Sequence, residues 1–326
     1  MDEPGLDNEL IANKRVARLK NLLYLKQHSK DVINQLLDLS DHYLNSNEQN
    51  EFGNLLKNQS IASLFFEPST RTSASFQVAA KRLGAETIVI DENTSSATKG
   101  ETVLDTIRNL EAMGVNAFVI RTGDINLFGP LIEQIGPHTH LISAGESSIS
   151  HPTQGLLDLL TIRQEKGSFE DLKVVIMGDI SHSRVARSLT EGLKIMGTGN
   201  ITLVSPEEFK PDMTNFPNTQ FEKDPSEGLC DADVIVTLRV QKERIESDEN
   251  SLSLEEYSNE YQLSQDKLAL SKSDAIVMHP GPMNRGIEIS NEVADGEQSV
   301  ILKQVENGVA VRMAVLSELL KQQNDK

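Results

Sequence analysis

Short runs rich in β-branched residues alternate with helical runs through the first half of the chain, and that alternation leaves few folds open. Ile61–Phe66, Thr87–Asp91, Ala117–Arg121 and His140–Ala144 each read as a strand. The helical runs between them end in Gly84, Gly114 and Gly136, glycines suited to closing a helix. Strand, helix and strand in this order build crossovers between parallel strands, so the first half predicts a parallel sheet with helices on its faces.

His151-Pro152-Thr153-Gln154 opens a helix running to about Glu165, and the rhythm then restarts with Val174–Met177, Ile201–Val204, Val234–Leu238 and Ala275–Met278. A second α/β unit of similar size follows, and 326 residues suffice for two cores. Ser29 to Leu44 spaces Val32, Ile33, Leu36 and Leu37 as an amphipathic helix. Val300–Lys321 is too long and apolar for a tail and is expected to fold back on the first unit, although Asn307-Gly308 interrupts it. Leu238–Leu263, rich in Glu, Ser and Asn, reads as a long mobile loop. The expected class is α/β with two domains, each a parallel sheet flanked by helices. Residues 1–20 form a polar N-terminal extension, 21–150 with 300–326 one domain, and 151–299 the other. Ligands are expected in the cleft between them, at the carboxyl ends of the strands.

Composition narrows the function classes. The net charge of −18 argues against nucleic acid as a partner, since a phosphate backbone would be repelled. No apolar run approaches membrane-span length, and the start, Met-Asp-Glu-Pro, is acidic where a secretory signal would be basic and apolar, so a cytoplasmic protein is expected. The single cysteine, Cys230, excludes an internal disulfide. Against so acidic a background, cations gathered in turn-rich segments are informative.

Residues 66–76, Phe-Glu-Pro-Ser-Thr-Arg-Thr-Ser-Ala-Ser-Phe, stop a strand at Pro68 and pass into a helix. The free N–H groups of a first helical turn, the positive end of the dipole, the hydroxyls of Ser69, Thr70 and Thr72 and the Arg71 guanidinium converge on a small volume. Helix capping alone would account for Ser69 or Thr70. It does not call for Arg71 in the first turn, where a cation opposes the dipole unless an anion neutralises it. That chemistry suits a phosphate.

The other unusual polar segments follow strands in the same way. They are Asn93–Thr102 with Ser95 and Lys99, then Arg121-Thr122-Gly123, then His151 with Gln154 at a helix start. Gly178–Arg184, Arg239–Arg244 and His279–Gly286 follow the strands of the second unit. A Gly-x-Gly-x-x-Gly loop, a P-loop, a Gly-x-Ser-x-Gly elbow and metal-ligand spacing are all missing, so nicotinamide, P-loop, serine-esterase and metal-hydrolase chemistry fit poorly.

Taken together the segments resemble one family. Phe66-Glu67-Pro68-Ser69-Thr70-Arg71-Thr72, Lys99-Gly100-Glu101-Thr102, His151-Pro152-Thr153-Gln154 and His279-Pro280 recur in that order in the carbamoyltransferases. Arg239-Val240-Gln241-Lys242-Glu243-Arg244 and His279-Pro280-Gly281-Pro282-Met283-Asn284-Arg285-Gly286 resemble the catalytic chains of its aspartate branch. The ornithine branch typically shows Ser-Met-Gly and His-Cys-Leu-Pro at these places. The resemblance implies transfer of the carbamoyl group of carbamoyl phosphate to L-aspartate, giving N-carbamoyl-L-aspartate and phosphate, an early committed step of pyrimidine biosynthesis, with no cofactor and no metal. It implies that Ser69, Thr70, Arg71, Thr72 and Arg121 hold the phosphate. Thr72, Arg121 and His151 would donate to the carbamoyl oxygen, Gln154 and the backbone carbonyl of Pro280 would contact the reacting nitrogen groups, and Gly281 would join them in binding carbamoyl phosphate. Arg184, Arg239 and Gln241 would orient the aspartate carboxylates. Ser95 and Lys99 resemble residues that reach a neighbour's active site in a trimer, Lys99 touching both substrates. The N-terminal stretch, together with Met278-His279-Pro280-Gly281-Pro282-Met283-Asn284-Arg285-Gly286, resembles the bacterial type that assembles with a dihydroorotase-like partner and responds to nucleotides, which implies a homotrimer or higher assembly of trimers with a dihydroorotase-like or regulatory partner.

Some positions depart from the family pattern. Ser73 and Gln77 stand where an Arg–Glu pair is usual, four residues apart on one helix face, so an ion pair is replaced as a unit. Thr122 stands where histidine is common, Thr98 where some members have a second lysine, and Gly281 where many have leucine. Little loss is expected at 281, a position that acts through its backbone.

Overall fold

The structure, a computed structural model, describes residues 19–46, 52–91, 100–240 and 252–321. It contains two parallel sheets flanked by helices, as the alternating pattern requires. The first comprises β1 (Ser60–Phe65), β2 (Glu86–Asp91), β3 (Ala117–Thr122) and β4 (His140–Glu146) in the order β2-β1-β3-β4. Ile61 faces Thr87 on one side and Ala117 on the other. Ile61 to Leu64 of β1 are buried without alternation, the mark of a parallel strand covered on both faces. The covering helices are α1 (Lys30–Asn45), α2 (Thr70–Arg82), α3 (Val103–Ala112) and α4 (Phe128–Gln134).

α5 (Pro152–Lys166) carries the chain to the second sheet and is buried from Pro152 through Ile162. There β5 (Lys173–Met177), β6 (Asn200–Val204), β7 (Gln220–Glu222), β8 (Val234–Thr237) and β9 (Ile276–Met278) run in the order β7-β6-β5-β8-β9. The helices are α6 (Arg184–Met196), α7 (Pro225–Leu229), α8 (Leu254–Tyr261), α9 (Gln265–Leu268), α10 (Asn291–Ala294) and α11 (Ile301–Leu320). One apolar core joins Ile33 of α1, Phe76 of α2, Leu159 of α5, Leu189 of α6 and Leu316 of α11. α11 packs against α1, α2 and α5, so the end of the chain returns to the first sheet's helices.

Local reading of the sequence differs from the fold at β7, which it did not anticipate, at α8 and at Asn307-Gly308. α8 lies within the stretch read as a long loop. Ser253 and Glu256 form a reciprocal capping box, and Tyr257 and Tyr261, one turn apart, are buried and stacked at 5.5 Å. Asn307 and Gly308 do not interrupt α11. The Asn307 amide donates to Thr161 Oγ1 at 2.8 Å and to Gln164 Oε1 at 2.9 Å, so tertiary bonds offset the weak helix propensity of this pair.

Candidate active site

In each sheet the strand order reverses once, between β1 and β3 and between β5 and β8. Open α/β sheets bind ligands at such points, outside the carboxyl ends of the strands. The two reversal points face one cleft of about 480 Å³. Pro68–Thr72 and Arg121 reach it from β1 and β3; Asp179, His182–Val185 and Arg239 reach it from β5 and β8. His151 and Gln154 enter from the start of α5, and Pro280–Pro282 from the end of β9.

Two of the helices that open on this cleft have no side chain capping them. Ser69 occupies the N-cap of α2, yet its hydroxyl accepts no backbone N–H; the same holds for His151 at the start of α5. Elsewhere the chain caps readily: Ser29 accepts from Val32 N, Thr102 from Asp105 N and Ser183 from Ala186 N. Capping therefore does not explain Ser69. The first-turn N–H groups of α2 and the Ser69 hydroxyl remain available to an anion, whereas in α5 Pro152 has no N–H and Gln154 N donates to His151 O at 3.0 Å.

The cations are held at the rim by few partners. Arg121 Nη1 donates to Ala144 O at 3.2 Å, and Nε lies 3.4 Å from Glu67 Oε2. Burial, with help from neighbouring Arg184 and opposed by Glu67, lowers the Arg121 guanidinium to about 10, so it stays charged at neutral pH. Arg184 Nη2 donates to the same Glu67 oxygen at 2.7 Å, while its buried Nη1 has no protein partner. Gly145, with φ of +131°, makes room for both: a Cβ there would lie 2.8 Å from Arg184 Nη1 and 3.0 Å from Arg121 Nη1. Gly281, with φ of +66°, receives Arg71 in the same way, a Cβ falling 2.8 Å from Arg71 Cζ. This position therefore contributes close approach as well as its backbone.

His151 is buried, its backbone N–H donating to Ser188 Oγ at 2.8 Å and its Nδ1 lacking a partner. Burial, then the charges of Arg121, Arg312 and Arg184, hold the imidazole well below its ordinary pKa. A neutral ring with one N–H can donate to a carbonyl oxygen without adding a cation. Gln154 Nε2 donates to Asp158 Oδ1 at 3.0 Å. The loops after β8 and β9 are tied together where Asn284 Nδ2 donates to Val240 O at 2.9 Å.

Of the residues expected at the site, Ser69, Thr70, Arg71, Thr72, Arg121, His151, Gln154, Arg184, Arg239, Pro280 and Gly281 line this one cleft. Ser95, Lys99 and Gln241 lie outside the described residues. Sequence reading missed Glu67 as the carboxylate joining two arginines; Asp179 and His182 lie in the segment after the fifth strand that it singled out, with His182 read as structural or solvated. Asp179 Oδ1 lies 2.7 Å from His182 Nδ1 on the cleft wall. The segments were in view, but the pairing of Glu67 with two distant arginines carries no local mark in the sequence.

The sequence matches two family models, the carbamoyl-P binding domain of aspartate/ornithine carbamoyltransferase over residues 20–164 and the Asp/Orn binding domain over residues 170–319. It is 47% identical over 307 residues to the aspartate carbamoyltransferase catalytic subunit of Stenotrophomonas maltophilia strain K279a, across 93% of this chain and 96% of that one. The fold is similar to that of Trypanosoma cruzi aspartate transcarbamoylase in complex with carbamoyl phosphate and aspartate, with a TM-score of 0.81 and 29% identity over 92% of this chain and 97% of that chain. It is also similar to ornithine carbamoyltransferase from Pyrococcus furiosus, with a TM-score of 0.81 and 27% identity over 94% and 99% of the two chains.

Proposed function

The chain belongs to the aspartate/ornithine carbamoyltransferase family, and from that premise we propose that it transfers the carbamoyl group of carbamoyl phosphate to the amine of L-aspartate. The observation that carries this reading is the gathering of Arg71, Arg121, Arg184 and Arg239 around one cleft in a chain of net charge −18. Two substrates with several negative charges between them match that cleft. A cationic acceptor such as ornithine would call for acidic groups where Arg184 and Arg239 stand.

In this reading residues 21–150 with 300–326 hold carbamoyl phosphate and residues 151–299 hold aspartate. Ser69, Thr70, Arg71 and Thr72, with Arg121, bind the phosphate. The aspartate amine attacks the carbamoyl carbon, and the carbonyl oxygen gains charge as the tetrahedral intermediate forms. Thr72, Arg121 and neutral His151 donate to that oxygen; removing one such donor typically costs about 10²–10³ in turnover. Gln154 Oε1 and Pro280 O accept from the carbamoyl nitrogen. The carbon–oxygen bond to phosphate then breaks, and the departing phosphate takes the amine proton. Arg184, Arg239 and Gln241 orient the aspartate carboxylates through charge-assisted bonds. Catalysis is then mostly positioning and electrostatics.

Ser95 and Lys99 complete a neighbour's site in a homotrimer. The reaction serves pyrimidine synthesis in the cytoplasm, under allosteric control, in a homotrimer or a higher assembly of trimers with a dihydroorotase-like or regulatory protein as partner. Purified protein incubated with carbamoyl phosphate and either aspartate or ornithine tests the reading. N-carbamoyl-aspartate is the expected product; product from ornithine alone would overturn the specificity.

A further inference from the structure

One turn below Gln154 on α5, Asp158 is wholly buried, and neither the phosphate site nor the carboxylate site uses it. Its Oδ1 accepts two side-chain amides, Gln154 Nε2 at 3.0 Å and Gln304 Nε2 of α11 at 2.9 Å. Its Oδ2 has no hydrogen-bond partner. Arg312 of α11, itself buried, donates Nη1 to Gly308 O at 2.7 Å and supplies the nearby positive charge. Burial pushes the Asp158 carboxyl up to about 7 against those amides and that charge, yet Oδ1 accepts in either protonation state, because a proton would sit on the unpartnered Oδ2.

The direction of both amides follows. With its NH₂ turned toward Asp158, Gln154 has its carbonyl oxygen on the opposite side of the amide, free to accept in the cleft. Gln304, committed in the same way, turns its Oε1 to the backbone N–H of His279 at 2.9 Å, the residue that precedes Pro280. Gly281 N in turn donates to His279 Nδ1 at 2.7 Å, and His279 Nε2 lies 3.1 Å from Glu288 Oε1. One buried oxygen thus sets the polarity of Gln154 and anchors the strand end that presents Pro280 O. Those are the two acceptors assigned above to the carbamoyl nitrogen.

We propose that Asp158 is a positioning residue that, through Gln154 and Gln304, makes the cleft select an acyl phosphate bearing an NH₂ over one of the same shape without it. The proposal rests on the carbamoyl-transfer reading. An asparagine at 158 keeps this direction only in a rotamer that is itself disfavoured. With Nδ2 in place of Oδ2, a donor is buried unpartnered beside the Arg312 charge. With Nδ2 toward the glutamines, both amides must turn, Gln154 then presenting NH₂ to the ligand and Gln304 presenting NH₂ to a backbone N–H.

The test compares carbamoyl phosphate with acetyl phosphate, in which CH₃ replaces NH₂, and with inorganic phosphate. Initial rates of aspartate carbamoylation give KM for the first and inhibition constants for the others. Wild-type protein that carbamoylates no aspartate removes the functional reading itself, separately from this proposal. In Asp158→Asn the ratio of the acetyl phosphate constant to the carbamoyl phosphate KM should fall about tenfold, one hydrogen bond's worth, while the acetyl phosphate and phosphate constants stay unchanged. An unchanged ratio, or equal weakening of all three ligands, overturns the proposal. The double variant Asp158→Asn with Gln154→Glu reverses donor and acceptor, since the introduced amide can donate to one oxygen of the introduced carboxylate and leave the other as acceptor. Its ratio should return to within about threefold of wild type. A folded double variant without that recovery also overturns the proposal, as does failure of both variants to fold, which would make Asp158 a stability element.

Discussion

Glu67 and Arg184 meet across the cleft, Glu67 Oε2 accepting from Arg184 Nη2 at 2.7 Å while the same oxygen lies 3.4 Å from Arg121 Nε. One carboxylate therefore joins the turn after β1 to the start of α6 and lies between two guanidinium groups of like charge. Without it the two cations repel across a space that aspartate must enter in a fixed orientation. Glu67→Gln should raise the aspartate KM by about tenfold or more, consistent with breaking a half-buried charge pair, and should leave carbamoyl phosphate affinity within about threefold. Steady-state kinetics with each substrate varied in turn measures the split. Equal loss for both substrates would assign Glu67 to the first sheet's turn alone.

How far this arrangement was legible depends on sequence distance. Pro68 to Thr72, Arg121, His151 and Arg184 each sit within a few residues of a strand end, so local pattern placed them at the cleft rim without a three-dimensional structure. The Glu67–Arg184 pair spans 117 residues and the Gln304–Asp158 bond 146, and neither partner carries a local mark of the other. Asp158 in particular sits in a run, Leu156-Leu157-Asp158-Leu159-Leu160, whose periodicity speaks only of burial. The helix at Leu254–Tyr261 was legible through Ser253-x-x-Glu256, but the polar composition around it outweighed that signal. β7 was beyond reach, being three residues at the edge of the sheet.

Ser73 and Gln77, at the positions where the family resemblance implies an ion pair, are joined by a hydrogen bond, Gln77 Nε2 donating to Ser73 Oγ at 3.1 Å. The site is one helical turn, so its energetics are those of an i, i+4 pair. Ser73→Arg alone should be neutral or slightly destabilising, because the new charge lacks its carboxylate. Adding Gln77→Glu should recover about 0.3–0.5 kcal/mol, a gain that shrinks in high salt. Thermal unfolding of the four variants in the cycle checks it. Additive effects would remove the compensation argument.

His151 makes stability depend on pH in a direction fixed by its environment. Burial, then Arg121, Arg312 and Arg184, lower its pKa well below the ordinary value. The unfolded chain takes up a proton at this position as pH falls through about 6.5, and the folded chain does not, so the proton favours unfolding. This group's penalty is absent above about pH 7 and grows by about 1.4 kcal/mol per unit below 6.5 until the folded ring protonates. His151→Gln lacks the titration. Between pH 7.5 and 5.5 the wild type should therefore lose about 1.4 kcal/mol more than the variant in urea unfolding. Parallel losses would show that the folded ring protonates near its ordinary pKa.

The shared active site proposed for a trimer can be tested without reference to the geometry of residue 99, because His151 is assigned to one chain and Lys99 to its neighbour. Lys99→Ala and His151→Ala homotrimers should each be nearly inactive, the first for want of a donated cation, the second for want of an oxyanion donor. When the two are unfolded, mixed equally and reassembled, a site is complete only if its own chain keeps His151 and the donating neighbour keeps Lys99. Random assortment in a cyclic trimer satisfies both conditions at about one site in four. Activity should reappear at about a quarter of the wild-type level, with the heterotrimers confirmed by native mass spectrometry. Mixed trimers without recovery would mean that Lys99 acts within its own chain or takes no part in the reaction, and the chain would then need no neighbour for catalysis.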